Sequence, residues 1–296
     1  GPVSNTASTE FNIPVVASPA TPAANTVNIF GRAIAGGVLP AYIGPSGLDS
    51  ALQPLLARNK IGFWCPPGNS TTLPGVLGFT PYTSVGTATA RNVATTNIFT
   101  RMRRLGYVST ATAASFSSAR IAVAQITLGA TVGSVVVGGF RKVIRFGVSD
   151  AATVAGARQF VGISSTVAAP ANVEPSTLLN SIGVGHGTAD STLFIYYGGS
   201  AAQTPISLGA NFPANTLSAD VYELALFCAP GAITVGWQVT RLTTGDTASG
   251  TLSGALGTVL PAATTLLSYS YNYRTNNATL LAVGLDIFSD YIETDQ

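Results

Sequence analysis

From about Ile98 onward, short segments of strict two-residue alternation follow one another, and few architectures can bury a chain patterned this way. In "GFRKVIRFGV", Phe140, Ile144, Phe146 and Val148 fall on one face, with Arg141 and Arg145 on the other. "VYELALF" sets Tyr222, Leu224 and Leu226 against Val221, Glu223, Ala225 and Phe227. "VGWQVTRL" groups Val235, Trp237 and Val239, opposite Gln238 and Thr240, and places Trp237 in the core. "LLAVGLDIF" puts Leu281, Val283, Leu285 and Ile287 inside, with Gly284 and Asp286 outside. Period two is the signature of strands buried on one face. Clusters of Gly, Ser, Asn and Pro punctuate the segments at turn-like spacing. The expectation is a mainly β protein, an antiparallel β-sandwich of jelly-roll-like character. No exact repeat calls for a solenoid or propeller.

One segment departs from this pattern. "SGLDSALQPLLARN", residues 46–59, predicts a short helix near the N-terminus: Ser46 or Asp49 can cap it, and Leu48, Leu52, Leu55 and Leu56 fall near one face. Pro54 keeps it short. Before it, "NIPVVASPATPAANTVN" reads as an extended arm. The predicted division is residues 1–104, an arm with a small attachment region, and residues 105–296, the β-sandwich. The leading Gly-Pro reads as a tag-cleavage scar, with the native start expected upstream.

Charged residues make up only 9% of the chain and hydrophobic ones 46%, against roughly 25% charged in an ordinary soluble domain. Lys60 and Lys142 are the only lysines. Such a chain needs a partner surface. A membrane span is not expected: the longest apolar run, "ARIAVAQITLGATVGSVVVGGF", is interrupted by Gln125, Thr127, Thr131 and Ser134 and alternates like a strand. Self-association accounts for the composition better. A net charge of +2 gives no case for nucleic acid. The basic cluster Arg101, Arg103 and Arg104 reads as a solvated or intersubunit strand start. Cys65 and Cys228 define no disulfide framework, and Cys228 reads as a small buried side chain.

The lone histidine, His186, lies in "SIGVGHGTAD", four residues before Asp190. The glycine-flanked segment reads as a strand end entering a loop, so His186 is expected at a surface or subunit contact and not in a catalytic dyad. No Gly-x-Ser-x-Gly elbow is present, and one histidine with two distant cysteines is thin material for zinc. No cofactor or metal is expected. Glu174, Asp190, Asp220, Glu223, Asp246, Asp286 and Asp290 are available for a glycosidase-like pair, but no local pattern selects two. Aromatic residues carry more. Tyr269, Tyr271 and Tyr273 alternate on one strand face of "LLSYSYNYRTNN", with Arg274, Asn276 and Asn277 following, and "LFIYYGGS" adds Tyr196 and Tyr197 at a loop entry. Flat rings beside hydrogen-bonding groups suit sugars or another subunit. The candidate glycan contacts are Tyr196, Tyr197, Tyr273, Arg274 and Asn276, with Tyr197 and Arg274 expected to be exposed.

At "FTRMRRLGYVS", "GFRKVIRFGVSDAATVAGARQFVGIS", "NVEPSTLLNSIGVGHGTAD" and "TNNATLLAVGLDIFSDYIETD" the sequence resembles the distal β-structured region of tailed-bacteriophage tail-fibre or receptor-binding proteins, over roughly Phe63 to Asp295. The resemblance implies a homotrimer at a fibre end that binds lipopolysaccharide, capsule or an outer-membrane protein. It implies joining other virion tail proteins through the N-terminal region, and folding in the host cytoplasm. It carries over no individual functional residue. A polysaccharide-cleaving or deacetylating fibre enzyme and a structural head-fibre or decoration protein are the alternatives.

Overall fold

The computed structural model describes residues 12–45, 49–51, 60–66, 71 and 82–294. Among these residues, twenty strands run in order. The first three, β1 (Asn28–Ile34), β2 (Gly37–Ile43) and β3 (Asp49–Ala51), form a small sheet of their own. Then come β4 (Lys60–Trp64), β5 (Thr83–Val85), β6 (Thr87–Ala90), β7 (Leu105–Val108) and β8 (Phe116–Arg120). A two-stranded hairpin follows, β9 (Ala130–Val132) and β10 (Val135–Val137). Next are β11 (Phe140–Val148), β12 (Arg158–Ser164), β13 (Ser181–His186), β14 (Phe194–Gly198) and β15 (Ile206–Ser207). The last five are β16 (Tyr222–Cys228), β17 (Val235–Arg241), β18 (Asp246–Leu252), β19 (Ser268–Thr275) and β20 (Gly284–Thr294).

Two antiparallel sheets make the sandwich. Sheet I has the order β18-β17-β16-β11-β20-β7-β6, and β4 pairs with the second half of β20. Sheet II has the order β15-β14-β13-β12-β19-β8-β5. The alternation seen in the sequence selects the inward face. Phe140, Ile144, Phe146, Leu224, Leu226 and Leu285 of sheet I meet Val161, Ile163, Ile182, Val184 and Ile195 of sheet II in one buried core. Cys228 lies in that core, and neither cysteine forms a disulfide. No helix among the described residues is long and apolar enough to cross a membrane.

Three expectations need correction. Asp49–Ala51 of the predicted helix is strand β3, paired with Ala41–Ile43, because cross-strand pairing outweighs a local leucine period; residues 46–48 and 52–59 lie outside the described residues. The helix among the described residues is α1 (Ile98–Arg101), closed by a capping box between Asn97 and Thr100. On the N-terminal side of Arg104, β4, β5 and β6 pair into the sandwich sheets. Arg104 is buried, and its Nε donates to Asp286 at 3.1 Å with the guanidinium over the Phe99 ring. Asp286 is therefore not on a solvent face: it is fully buried, bonded also by Ser149 and Arg91, and burial raises its carboxyl against those cations.

Two register shifts re-aim side chains. Along β11–β20, Arg145 faces Ser289 and Phe146 faces Ile287, so Phe288 is the extra residue of a bulge. Phe288 packs outside the sandwich against Phe99 and Val221, while Asp290 and Ile292 turn inward. Along β12–β19, Gly162 faces Tyr271 and Ser164 faces Ser268, which again places an extra residue on the longer path. The predicted Tyr269, Tyr271, Tyr273 row is thereby split. Tyr269 joins the main core, and Tyr271 and Tyr273 lie on the opposite face of sheet II.

Trp64 tests whether β4 is integral to the sandwich. It is 1% exposed within the main core, its ring 5.1 Å from that of Tyr82. Trp64→Ala is expected to cost about 3–5 kcal/mol in chemical denaturation. A change near zero would make the N-terminal strands an accessory layer.

Candidate functional site

Strand β13 explains where a cleft can form. In "SIGVGHG", Ile182, Val184 and His186 point into the sandwich, and Gly183 and Gly185 leave the outer face of sheet II bare. A Cβ at Gly185 would stand 1.9 Å from the Gln159 carbonyl oxygen, and one at Gly183 would stand 2.6 Å from the Phe160 ring. The bare strip admits an aromatic layer of Phe160, Tyr196, Tyr271 and Tyr273, with Phe194 at its edge. Phe160 stacks on Tyr273 at 6.2 Å between centroids. Burial raises the phenols of Tyr273 and Tyr196, and that of Tyr271 to about 12, so all three remain neutral donors.

The β12–β13 connection folds over this layer. Val173 and Leu178 pack against the rings. Arg158 fixes the loop by donating to the Asn172 carbonyl and side-chain oxygens at 3.0 Å. A 3-10 turn, Pro175–Thr177, follows Glu174. Glu174 is ion-paired to Arg158 Nε at 2.8 Å and accepts from the Thr188 hydroxyl and backbone N–H. Across from it, Asp190 Oδ2 accepts from Gly187 N–H at 2.7 Å and from the Tyr196 hydroxyl at 2.9 Å. A Cβ at Gly187 would lie 2.7 Å from Glu174 Oε2 and 3.1 Å from Asp190 Oδ2, so both carboxylates crowd one glycine. Together these groups border a cleft of about 460 Å³, completed by Phe194, Thr204 and Pro205. That volume lies within the range of small-ligand sites, about 300–1,000 Å³. Among the described residues, no cluster of three or more His, Cys, Asp or Glu is placed to hold a metal ion.

Of the predicted contacts, Tyr196 borders the cleft. Tyr273 belongs to the layer beneath it and donates to the Val173 carbonyl, with no exposed surface. Tyr197 faces the other way and packs, half-buried, on the main core. Arg274 and Asn276 are fully buried, which overturns the expected exposure of Arg274. Asn276 Nδ2 is consumed by the carbonyls of Thr112 and Leu281 and by Ser115 Oγ. Arg274 lies inside one end of the sandwich, where Nη2 meets Asp150 Oδ2 at 2.5 Å and also donates to Asn215. Its Nη1 donates to Gln159 Oε1 and to His186 Nε2, the latter at 2.9 Å. Glu174, Gly187, Thr188 and Phe194 were not singled out as contacts by the sequence. The signal for them was the run of alternate glycines, which marks a face that must stay bare.

His186 is thus neither at a surface nor at a subunit contact. It is fully buried, with Nε2 accepting from Arg274 and the ring proton on Nδ1 facing the Gly187 carbonyl oxygen at 3.2 Å. Burial first, then the Arg274 charge, depress its pKa to about 3. It serves as a neutral acceptor that positions Arg274.

Comparison with protein-family models and with curated proteins finds no match. Among solved structures, the chain superposes on peanut lectin in complex with a 9mer peptide at 14% identity and a TM-score of 0.49, over 79% of this chain and 97% of the lectin. Lectin II from Ulex europaeus superposes at 15% identity and a TM-score of 0.49, over 81% of this chain and 100% of the lectin. A protein of unknown function from Shewanella oneidensis MR-1 gives 12% identity and 0.49, over 82% of this chain and 90% of that one. Likeness at this level assigns neither a family nor a ligand. The two sheets define the chain as an antiparallel β-sandwich, and the cleft has to be read from its own groups.

The acid branch of the stability curve tests the His186 arrangement. The unfolded chain protonates its histidine below the ordinary value of 6.5, while the folded chain does not until about 3. The contribution of His186 is therefore complete above 6.5 and is lost as pH falls toward 3, at about 1.4 kcal/mol per pH unit. His186→Gln, which keeps an acceptor for Arg274 but cannot titrate, should flatten that slope relative to the parent chain. Parallel pH profiles for the two would place His186 in contact with solvent.

Proposed function

We propose that the chain is a non-enzymatic receptor-binding module of a tailed-bacteriophage fibre, and that it takes a bacterial cell-surface glycan in the cleft bordered by Glu174, Asp190 and Tyr196. The observation that carries this reading is the state of Asp190. One carboxylate oxygen is fixed by the Gly187 N–H and the Tyr196 hydroxyl, and among the described residues no hydrogen bond uses the other. A fixed acceptor beside the Phe194 and Tyr196 rings matches what a pyranose presents, adjacent hydroxyl donors and an apolar C–H face. The module is read as a homotrimer, assembled in the host cytoplasm and carried on the virion tail. Attachment to other tail proteins is assigned to the N-terminal region, residues 1–104. Self-association is supported by Val132, Val135 and Val136 on the β9–β10 hairpin and by Ile233, all more than half exposed. Three copies would present three clefts, raising avidity by about 10²–10⁴ where they engage together.

A hydrolytic reading has one observation in its favour: two of the sequence's candidate acids, Glu174 and Asp190, meet at the same cleft. The ion pair to Arg158 and the bonds from Thr188 hold Glu174 as an acceptor, which suits binding better than proton donation.

Binding to intact bacteria and to their isolated surface polysaccharide provides the test. Asp190→Ala should weaken binding by about 10- to 100-fold, the worth of a hydrogen bond to a charged group. Tyr196→Phe should act in the same direction but more weakly. Light scattering should give a mass near three chains. Polysaccharide binding unchanged in Asp190→Ala would remove the cleft from the reading, and release of reducing ends or acetate, abolished by Glu174→Gln, would replace binding by catalysis.

A further inference from the structure

The main core contains an ionic pair that its packing does not require. Lys142 lies on the inward face of β11 between Phe140 and Ile144, in a chain that has only two lysines. Its Nζ is 2.6 Å from Asp290 Oδ1, and neither side chain has any exposed surface. The pair bridges neighbouring strands, because Ile144 faces Asp290 and Lys142 faces Ile292 in the β11–β20 ladder. Replacing such a buried pair with hydrophobic residues is commonly neutral or stabilising, so packing alone gives no reason to retain it.

Its surroundings are arranged for more than charge balance. The Phe288 bulge turns Asp290 inward, and the irregularity in β19 turns Tyr269 inward, where its ring lies 5.4 Å from Lys142 Nζ. The Tyr82 hydroxyl donates to the second carboxylate oxygen, Asp290 Oδ2, and lies 2.9 Å from Ser270 Oγ. Trp64 faces Asp290 from β4 and packs on Tyr82. The amine is thus held against one end of a carboxyl group and a phenol donor against the other, inside a closed aromatic shell.

We infer that Lys142 and Asp290 are joined by an intramolecular amide bond, formed autocatalytically once the sandwich closes around them. Proton transfer along the Nζ–Oδ1 hydrogen bond gives the neutral amine and carboxylic acid, the form a low-dielectric interior favours. Burial lowers the pKa of the Lys142 amine, with the Asp290 charge opposing. The Nζ lone pair attacks Asp290 Cγ to form the C–N bond. In the tetrahedral intermediate Oδ2 takes the Tyr82 proton, and Tyr82 recovers a proton from the nitrogen; the C–Oδ2 bond then breaks as the Oδ1 hydroxyl proton passes to the departing oxygen, which leaves as water while Oδ1 becomes the amide carbonyl. The net change is amine plus carboxylic acid to amide plus one water, with the phenol regenerated and no oxidant or activating group consumed. The product ties β11 covalently to the last strand of the chain.

Intact-mass measurement of the full-length chain under denaturing conditions tests this directly. The expected mass is one water below the sequence mass, and digestion should yield a single branched peptide carrying both Lys142 and Asp290. Asp290→Asn should end on the same product mass as the parent chain, since it loses ammonia in place of water. Asp290→Ala and Lys142→Met should show their own full sequence masses. A parent chain at its full sequence mass, with the two peptides recovered separately, overturns the inference; that reading needs no variant to fold.

Discussion

The β11–β20 ladder runs for nine register pairs through the middle of sheet I, and its single bulge decides what the interior contains. Up to Ile287 the strand delivers apolar side chains inward and carries Asp286 on the other face. Past Phe288 the phase is inverted, so that Asp290 enters the core and a phenylalanine anchors a second cluster outside it. An unbulged β20 would send Asp290 outward and leave Lys142 alone in a dry interior, at a cost no fold of this size absorbs easily. The position of one extra residue thus governs the core, the outer Phe99 cluster and the seating of β4.

Among the described residues, ten charged side chains are buried, in a chain that has few charges to place. Of its 14 basic and 12 acidic residues, Arg274 with Asp150, Arg104 with Asp286, and Lys142 with Asp290 are buried pairs. Each joins segments distant in sequence: Arg274 and Asp150 are 124 residues apart, and Arg104 and Asp286 are 182 apart. Pairs of this kind add little net stability over a well-packed apolar core, but they penalise misregistered strands heavily, because a slipped partner leaves a bare charge. A charge-poor composition and an ion-paired interior are therefore compatible: the outer surface stays largely uncharged while the interior is specified by a handful of salt links.

The sandwich itself was legible from period-two alternation, since burying one face of each strand is the condition the pattern records. The inward Phe140, Ile144 and Phe146 of β11, the inward sets of β16 and β17, and Leu285 and Ile287 of β20 follow from it directly, whereas Leu281, expected inside with them, is exposed just before β20 begins. Bulges were not legible, because they are set by cross-strand register and leave no mark on a single strand; hence the unbroken tyrosine row and its division in the structure. Arg274 was misplaced for a related reason. An arginine after a tyrosine run reads as a rim residue unless Asp150, Gln159 and His186 are known to converge on it. At the cleft, the sequence supplied Tyr196, Glu174 and Asp190 as separate possibilities, and only the folding of the β12–β13 connection over sheet II brings them together.

The bare outer face of β13 also divides the cleft into parts that sequence change can and cannot reach. At Gly183 and Gly185 any side chain would collide with neighbouring backbone or the Phe160 ring, so this strip beneath the aromatic layer is closed to variation. Ser176 on the 3-10 turn and Thr204 at the opposite wall are exposed and carry no such constraint. A lineage changing its ligand would therefore keep the glycines and aromatic layer while rewriting the two walls, giving a record of divergence concentrated in a few positions around an invariant floor.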